Sequence, residues 1–398
     1  MSQDFFSPEV LRDPHAFLRR VRAEHPICWS PQFHGWVLTR YADVLAATKD
    51  ERLVAVSAAS WLQRLPGELK QQFEPASRCL RWWAGLMSEQ DHLDFQSALK
   101  KYFNPAKVEE LRPRVQQFTH ELLDAAQERG SLEVVDELAR PLPANVIGEL
   151  LGMPPEDRAL LQRWSADILS FFQQVELEGL KRGQRSLLEM QEYLRPLIAE
   201  RRREPRGDLI SVLVSQKEGL FAREPEAIVA NCAMLLFAGH ETTSHLISSG
   251  LLLLLQHPEQ LALLRDKPEL MPSAIEEMLR YDGASDAMVR VSKAPLELGG
   301  QRFSAGETFV LVYKAANFDP EVYPSPERFD ITRRPNRHLA FGMGSYYCLG
   351  AALARLEGQI CIRMILERLP GLRPAFQTPD WRPLPPLGRR LRSLHVAF

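Results

Sequence analysis

Within "HLAFGMGSYYCLGAALARLEG", residues 338–358, a single cysteine, Cys348, follows Phe341, Gly342 and Gly344 and precedes Gly350. The three glycines take side chains away from the backbone around the thiol, so a flat, bulky group can lie against the loop. The Ala/Leu-rich pattern behind it predicts a helix starting at Cys348, whose positive dipole end and free N–H groups favour a thiolate. Phe341 can wall the sulfur from water. A cysteine in a tight turn is ordinarily a buried free thiol; on these residues alone both readings stand. The five cysteines, at 28, 79, 232, 348 and 361, form no CxxC pair, which argues against a disulfide framework and a tetrahedral zinc site. A metal on Cys348 must draw its other ligands from elsewhere.

A second group with chemistry is "AGHETT", residues 238–243, in the middle of the most apolar stretch, 228–256. Two histidines and a glutamate at its centre argue against a membrane span and for a buried helix. On such a helix the Thr242 hydroxyl can return to the Ala238 carbonyl and open a groove beside it. Glu241 supplies an ionisable group that can pass protons inward. The plainer alternative is that His240 and Glu241 face a polar seam between helices. "EEMLR" puts Glu277 and Arg280 at i, i+3 on one helix face, the spacing of an ion pair.

The elements that must position these groups are mostly helical. Apolar residues recur at three and four positions from Pro105 to Tyr281. Strand patterns are confined to Trp36–Arg40, to "LELGGQRF" with its Gly-Gly turn, to Thr308–Tyr313 and to "SLHVAF" at the carboxyl end. Residues 317–337, rich in Pro and Asp, read as loop. Repeats and linkers are missing, so one mainly α domain with small β-sheets is expected over 1–398. With 45% hydrophobic and 25% charged residues the chain has the makings of an ample core. A net charge of -2 gives no basic field for nucleic acid or an anionic membrane. The amino-terminal "MSQDFFSPEVLRDPHAF" has no continuous apolar region, so no signal peptide or anchor is expected, and a cytoplasmic location follows.

The spacing Phe341-Gly342-x-Gly344-x-x-x-Cys348-x-Gly350 resembles the haem-binding loop of the cytochromes P-450, the haem-thiolate monooxygenases. Ala238-Gly239-x-Glu241-Thr242 is similar to that family's oxygen-activating segment, and the resemblance extends from "GWVLTRYADVLAATKD" to the cysteine helix. It implies haem b between the long central helix and the Cys-loop helix, with Cys348 as the iron ligand and Glu241 and Thr242 as catalytic acid and alcohol. Glu277, Arg280 and Arg328 would form a buried charge cluster supporting the loop. Ala238, Phe341, Gly342 and Gly350 would contact haem, and His92, Arg290 and His338 its propionates. The chain departs from the family pattern at Tyr346 and Gln96, where a charged residue is usual; both would lie beside a propionate without charge.

The implied activity is insertion of one atom of dioxygen into an apolar or aromatic small molecule, as hydroxylation or epoxidation, in secondary metabolism. Electrons would come from a ferredoxin-type donor with an NAD(P)H-dependent reductase, docking where Lys100, Lys101 and Arg355 converge. Alternatives are a non-hydroxylating oxidase of the same family (coupling, desaturation, nitration) and a non-catalytic haem-binding or recruiting protein. The substrate pocket implied by the resemblance comprises Trp82, Trp83, Phe171, Phe172, Met234, Phe237, Asp286, Ala287, Met288 and Val289. Asp286 there would ask for a cationic or hydroxyl partner on the substrate.

Overall fold

The computed structural model describes the chain except residues 1–3, 6, 8–9, 11–12, 57–61, 63–64, 84–86, 174–175 and 385–386, and except the side chains of residues 172, 173 and 383. Helix dominates, as the apolar spacing predicts. The helices that reach the chemistry-bearing residues are α1 (Glu74–Leu80), α2 (Glu89–Leu99), α3 (Pro141–Leu150), α4 (Leu177–Arg203), α5 (Pro225–Gln256), α6 (Met271–Asp282) and α7 (Ala351–Arg368).

Helix α5 opens on Pro225, whose fixed φ suits a first turn, and runs for 32 residues, about 48 Å at 1.5 Å per residue. It is apolar almost all round and is therefore the buried axis of the main core, where Leu236, Ile247 and Leu251 pack with Leu187, Ile275 and Ile365. A Cβ added at Gly358 of α7 would lie 3.1 Å from Leu246 and 3.2 Å from Ile275. That bare position sets how closely α7, and the cysteine loop before it, approach α5. No described helix is long and apolar enough to cross a membrane.

Strands β1 (Ile27–Ser30), β2 (Gly35–Leu38), β3 (Leu53–Ala55), β4 (Met288–Ser292) and β5 (Thr308–Leu311) form a sheet in the order β1-β2-β5-β4-β3. The β2–β5 pair is parallel and the others antiparallel. A hairpin of β6 (Asp380–Leu384) and β7 (Gly388–Ser393) lies against α5. The expected Gly-Gly hairpin pairs Leu296–Leu298 with Gln301–Phe303. The strand expected to reach Tyr313 stops at Leu311, and Tyr313–Ala316 is a turn of helix.

Residues 317–337 form neither helix nor strand, and buried charge holds them in place. Glu277 and Arg280 are wholly buried and paired at 2.8 Å. Glu277 also accepts from the Asp330 N–H at 3.0 Å, Asn336 at 3.0 Å and Arg333 at 3.2 Å. The third member of the cluster is therefore Arg333, and the expectation for Arg328 is corrected: its side chain is exposed and only its carbonyl takes part, accepting from Arg333 at 2.9 Å. Both arginines lie in one polar loop, and spacing could not tell them apart.

Candidate active site

Exposure in the middle of a buried helix marks a hollow. On α5, Ala238 and Thr242 are exposed and Met234, Phe237 and Glu241 half-buried, while Leu235 and Leu236 are buried. The Thr242 hydroxyl donates to the Ala238 carbonyl at 2.7 Å, as expected, within a helix that stays continuous. Across the cavity from Thr242 lie Phe341, Gly342, Tyr346 and Cys348 of the loop, with Met288 and Arg290 of β4 at one side. His240 is fully buried, a ring nitrogen 3.8 Å from Glu241. Burial lowers its pKa, so it is a neutral imidazole.

The loop is closed by the Cys348 N–H donating to the Phe341 carbonyl at 2.9 Å. Gly342 sits at φ +68°, a backbone state that residues with a Cβ avoid. Helix α7 begins at Ala351 with Gly350 as its cap, rather than at Cys348. Cys348 is accessible because it faces the cavity. The surrounding protein pushes its thiol pKa up by burial, while the Gly350 N–H and Arg355 pull it down. The net direction is up, so the protein alone keeps a thiol there; a cation bound to the sulfur makes it a thiolate.

Several expected site residues are engaged elsewhere. The His338 ring nitrogen Nε2 lies 3.0 Å from Glu276, which Arg355 also grips at 2.7 and 2.8 Å. Arg355 further donates to the Tyr347 hydroxyl at 3.1 Å and lies 4.5 Å over the Phe341 ring, so it braces the loop instead of offering a free docking charge. His92 and Gln96 both reach the Ser345 carbonyl, His92 at 3.0 Å, and so tie α2 to the loop instead of pointing their donors at a carboxylate. Asp286 is paired with Lys314 at 2.7 Å and Arg390 at 3.5 Å and needs no partner on a substrate. Alternation along β4 sends Met288 and Arg290 to the cavity and Val289 to the other face. Ala287 packs on the amino-terminal core, and Phe171 is wholly buried against Gly183 of α4. The Phe172 side chain lies outside the described set. Tyr313, Leu279 and Ser285 line the cavity without any sequence signal of their own.

Burial alone would raise the Glu276 carboxyl, but Arg355 and His338 hold it down, to about 2 from 4.5. A depressed carboxyl stabilises the fold above its unfolded pKa and loses that contribution as pH falls through the folded one. Glu276→Gln is therefore expected to flatten the stability profile between about pH 4.5 and 2. Urea midpoints measured across that window check it; an unaltered slope contradicts it.

A family model described as cytochrome P450 matches residues 159–370. The chain is 36% identical to the biotin biosynthesis cytochrome P450 of Bacillus subtilis, over 98% of each chain. This chain belongs to the cytochrome P450 family. In structure this P450 is similar to P450BioI in complex with hexadec-9Z-enoic acid ligated acyl carrier protein, with TM-score 0.91, 36% identity and coverage of 98% of this chain and 99% of that one. It is also similar to the myxobacterial CYP267B1 in complex with myristic acid, with TM-score 0.86, 37% identity and coverage of 99% and 98%. Monooxygenases and hydroxylases are named among its relatives, and it is a P450 monooxygenase of the mostly helical P450 fold. As a member of the family it uses a haem cofactor, a redox partner and small-molecule substrates.

The residues of the cavity fit that cofactor. Arg290 is 1% exposed, and its Nε has no hydrogen-bond partner among the described residues. Such a guanidinium asks for an anion, as a haem propionate would be. Its other contacts are the Val289 carbonyl at 3.0 Å and the face of Tyr346 at 4.6 Å. A Cβ at Gly350 would meet no protein atom, which leaves that flank of Cys348 open to a flat group. Among the described residues no group of three or more His, Cys, Asp or Glu could hold an ion, so iron on Cys348 would take its remaining ligands from a macrocycle.

Proposed function

We propose that this P450, acting as one domain over residues 1–398 in the cytoplasm, hydroxylates or epoxidises an apolar organic substrate of secondary metabolism. It would use haem b and electrons from a ferredoxin-type donor with its NAD(P)H-dependent reductase. The observation that carries this reading is a single cavity bounded by Cys348 on one side and by Thr242 on the other. Haem, when bound, supplies the activation of dioxygen.

The chain does the rest by placement. The Cys348 sulfur holds the iron, and Arg290 neutralises a propionate. The Thr242 hydroxyl spends its hydrogen on the Ala238 carbonyl, so its oxygen is left to accept from a water in the cavity. Glu241 precedes it in the helix and is half-buried, a carboxyl that can exchange protons with that water. Neutral His240 does not compete for that task. Leu246, Leu279 and Met288 present apolar cavity surface that orients a substrate and excludes bulk water, with Met234 and Phe237 half-buried on the same stretch of α5 as Ala238. Lys100 and Lys101 are exposed just past the end of α2, the helix that Gln96 ties to the cysteine loop, and favour an acidic electron donor there.

Thr242→Ala is expected to keep the substrate-induced spin shift while the product formed per electron donor falls by at least about tenfold, with hydrogen peroxide made instead. Parallel measurement of donor consumed, peroxide and product tests this. Unchanged coupling would show that this helix does not handle protons as described.

A further inference from the structure

We propose that Lys314, buried behind the cavity that holds Cys348 and Thr242, is a positioning residue that decides which substrates fit, by fixing the wall segment from Asp282 to Met288. This rests on the monooxygenase reading of that cavity and concerns its specificity. Ala284, Ser285 and Met288 of the segment line the cavity, and so does Tyr313, next to Lys314 in the chain.

Lys314 is 4% exposed. Its ammonium lies 3.1 Å from Asp282, the last residue of α6, and 2.7 Å from Asp286, four residues later. One cation therefore grips both ends of the stretch that carries Ala284 and Ser285. The backbone is held as well: the Lys314 N–H donates to the Asp286 carbonyl at 3.0 Å, and Arg390 of β7 donates to the Ala284 carbonyl. Arg390 also stands 3.5 Å from the Asp286 carboxylate. From α5 the Ser249 hydroxyl donates to Asp282 at 2.5 Å, and the His245 ring nitrogen Nε2 lies 3.0 Å from the Asp282 carbonyl. A Cβ at Gly388 of β7 would lie 2.1 Å from an Asp286 oxygen, so the hairpin admits that carboxylate only because it is bare there.

The charges balance without a ligand. Lys314 and Arg390 bring two cations to two carboxylates, and burial lowers the His245 pKa from 6.5 to about 4, which leaves that ring neutral. Burial pulls the Lys314 pKa down too, but Asp286 and Asp282 more than offset it, so the ammonium stays charged. Such a cluster is not needed merely to hold a fold, since apolar residues of similar volume often serve as well. What fixed charges and directed hydrogen bonds add is one position for the segment they grip. A wall held in one position meets a bulky ligand already ordered, whereas a loose wall must be ordered by the ligand at the expense of affinity. A ligand too small to reach the wall gains nothing from it.

Imidazole and 4-phenylimidazole, titrated into haem-loaded protein by the Soret shift, separate the two cases. Both offer a ring nitrogen to iron, and the second alone carries a phenyl ring that must lie against the walls. Two variants are compared with native protein: Asp286→Asn, which keeps the side chain's shape without its charge, and Lys314→Met combined with Asp286→Asn, which removes one charge of each sign. In both, amide hydrogen exchange over residues 283–288 is expected to speed up at least about tenfold. In both, 4-phenylimidazole is expected to bind about tenfold more weakly while imidazole is unchanged. Asp286→Asn alone decides if the double variant does not fold. Unchanged exchange, or affinities for the two ligands whose ratio stays native, overturns the assignment while leaving the monooxygenase reading intact. Failure of native protein to show thiolate-ligated haem in its reduced carbon monoxide complex brings down both.

Discussion

Glu277→Ala lowers the free energy of unfolding by about 3–5 kcal/mol, the cost of leaving a buried charge without its partner. Arg280 and Glu277 are 1% and 0% exposed, so neither charge can turn to water once the other is gone. The loss spreads further than one pair. Glu277 also receives the Asp330 N–H, Asn336 and Arg333, and Arg280 donates to the Asn317 carbonyl at 2.9 Å. Asn317 in turn accepts the Leu339 N–H at 2.8 Å, two residues before Phe341, so the cluster reaches the start of the cysteine loop. Denaturant unfolding of native and variant protein measures the effect, and haem uptake should fall with it. Arg328→Ala is the control: with its side chain exposed, it should stay within about 0.5 kcal/mol of native. Equal effects for the two variants would contradict the placement of Arg333 in the cluster.

What could be read from the sequence was what local chemistry decides. The bareness around Cys348 is written in three glycines, and the Thr242–Ala238 bond follows from i, i+4 spacing alone. The long helix, the loop over 317–337 and the Gly-Gly hairpin were legible for the same reason. Partners brought in from distant segments were not. Glu276 claims His338 and Arg355 because α6 packs beside the loop, and Lys314 claims Asp286 across a buried gap. Neither pairing leaves a local trace. Strands β1, β3 and β4 span three to five residues, too short for alternation to stand out, yet β4 delivers Arg290. Arg333 and Arg328 differ only in how the irregular loop folds back.

Cys348 is the proposed sole tie between haem iron and this chain. The other thiols cannot stand in. Cys79, Cys232 and Cys361 are buried in the core, and burial pushes each of them up, Cys79 to about 12. Cys28, half-buried on β1, is raised in the same way. None of the four lines the cavity, where Cys348 faces Thr242. The deciding measurement is the absorbance spectrum of the reduced carbon monoxide complex of native and Cys348→Ser protein at matched haem content. Native protein should show the red-shifted Soret band of thiolate-ligated haem, and Cys348→Ser should lose it entirely while keeping its helical content. A red-shifted band that survives in the Cys348→Ser protein would contradict the account.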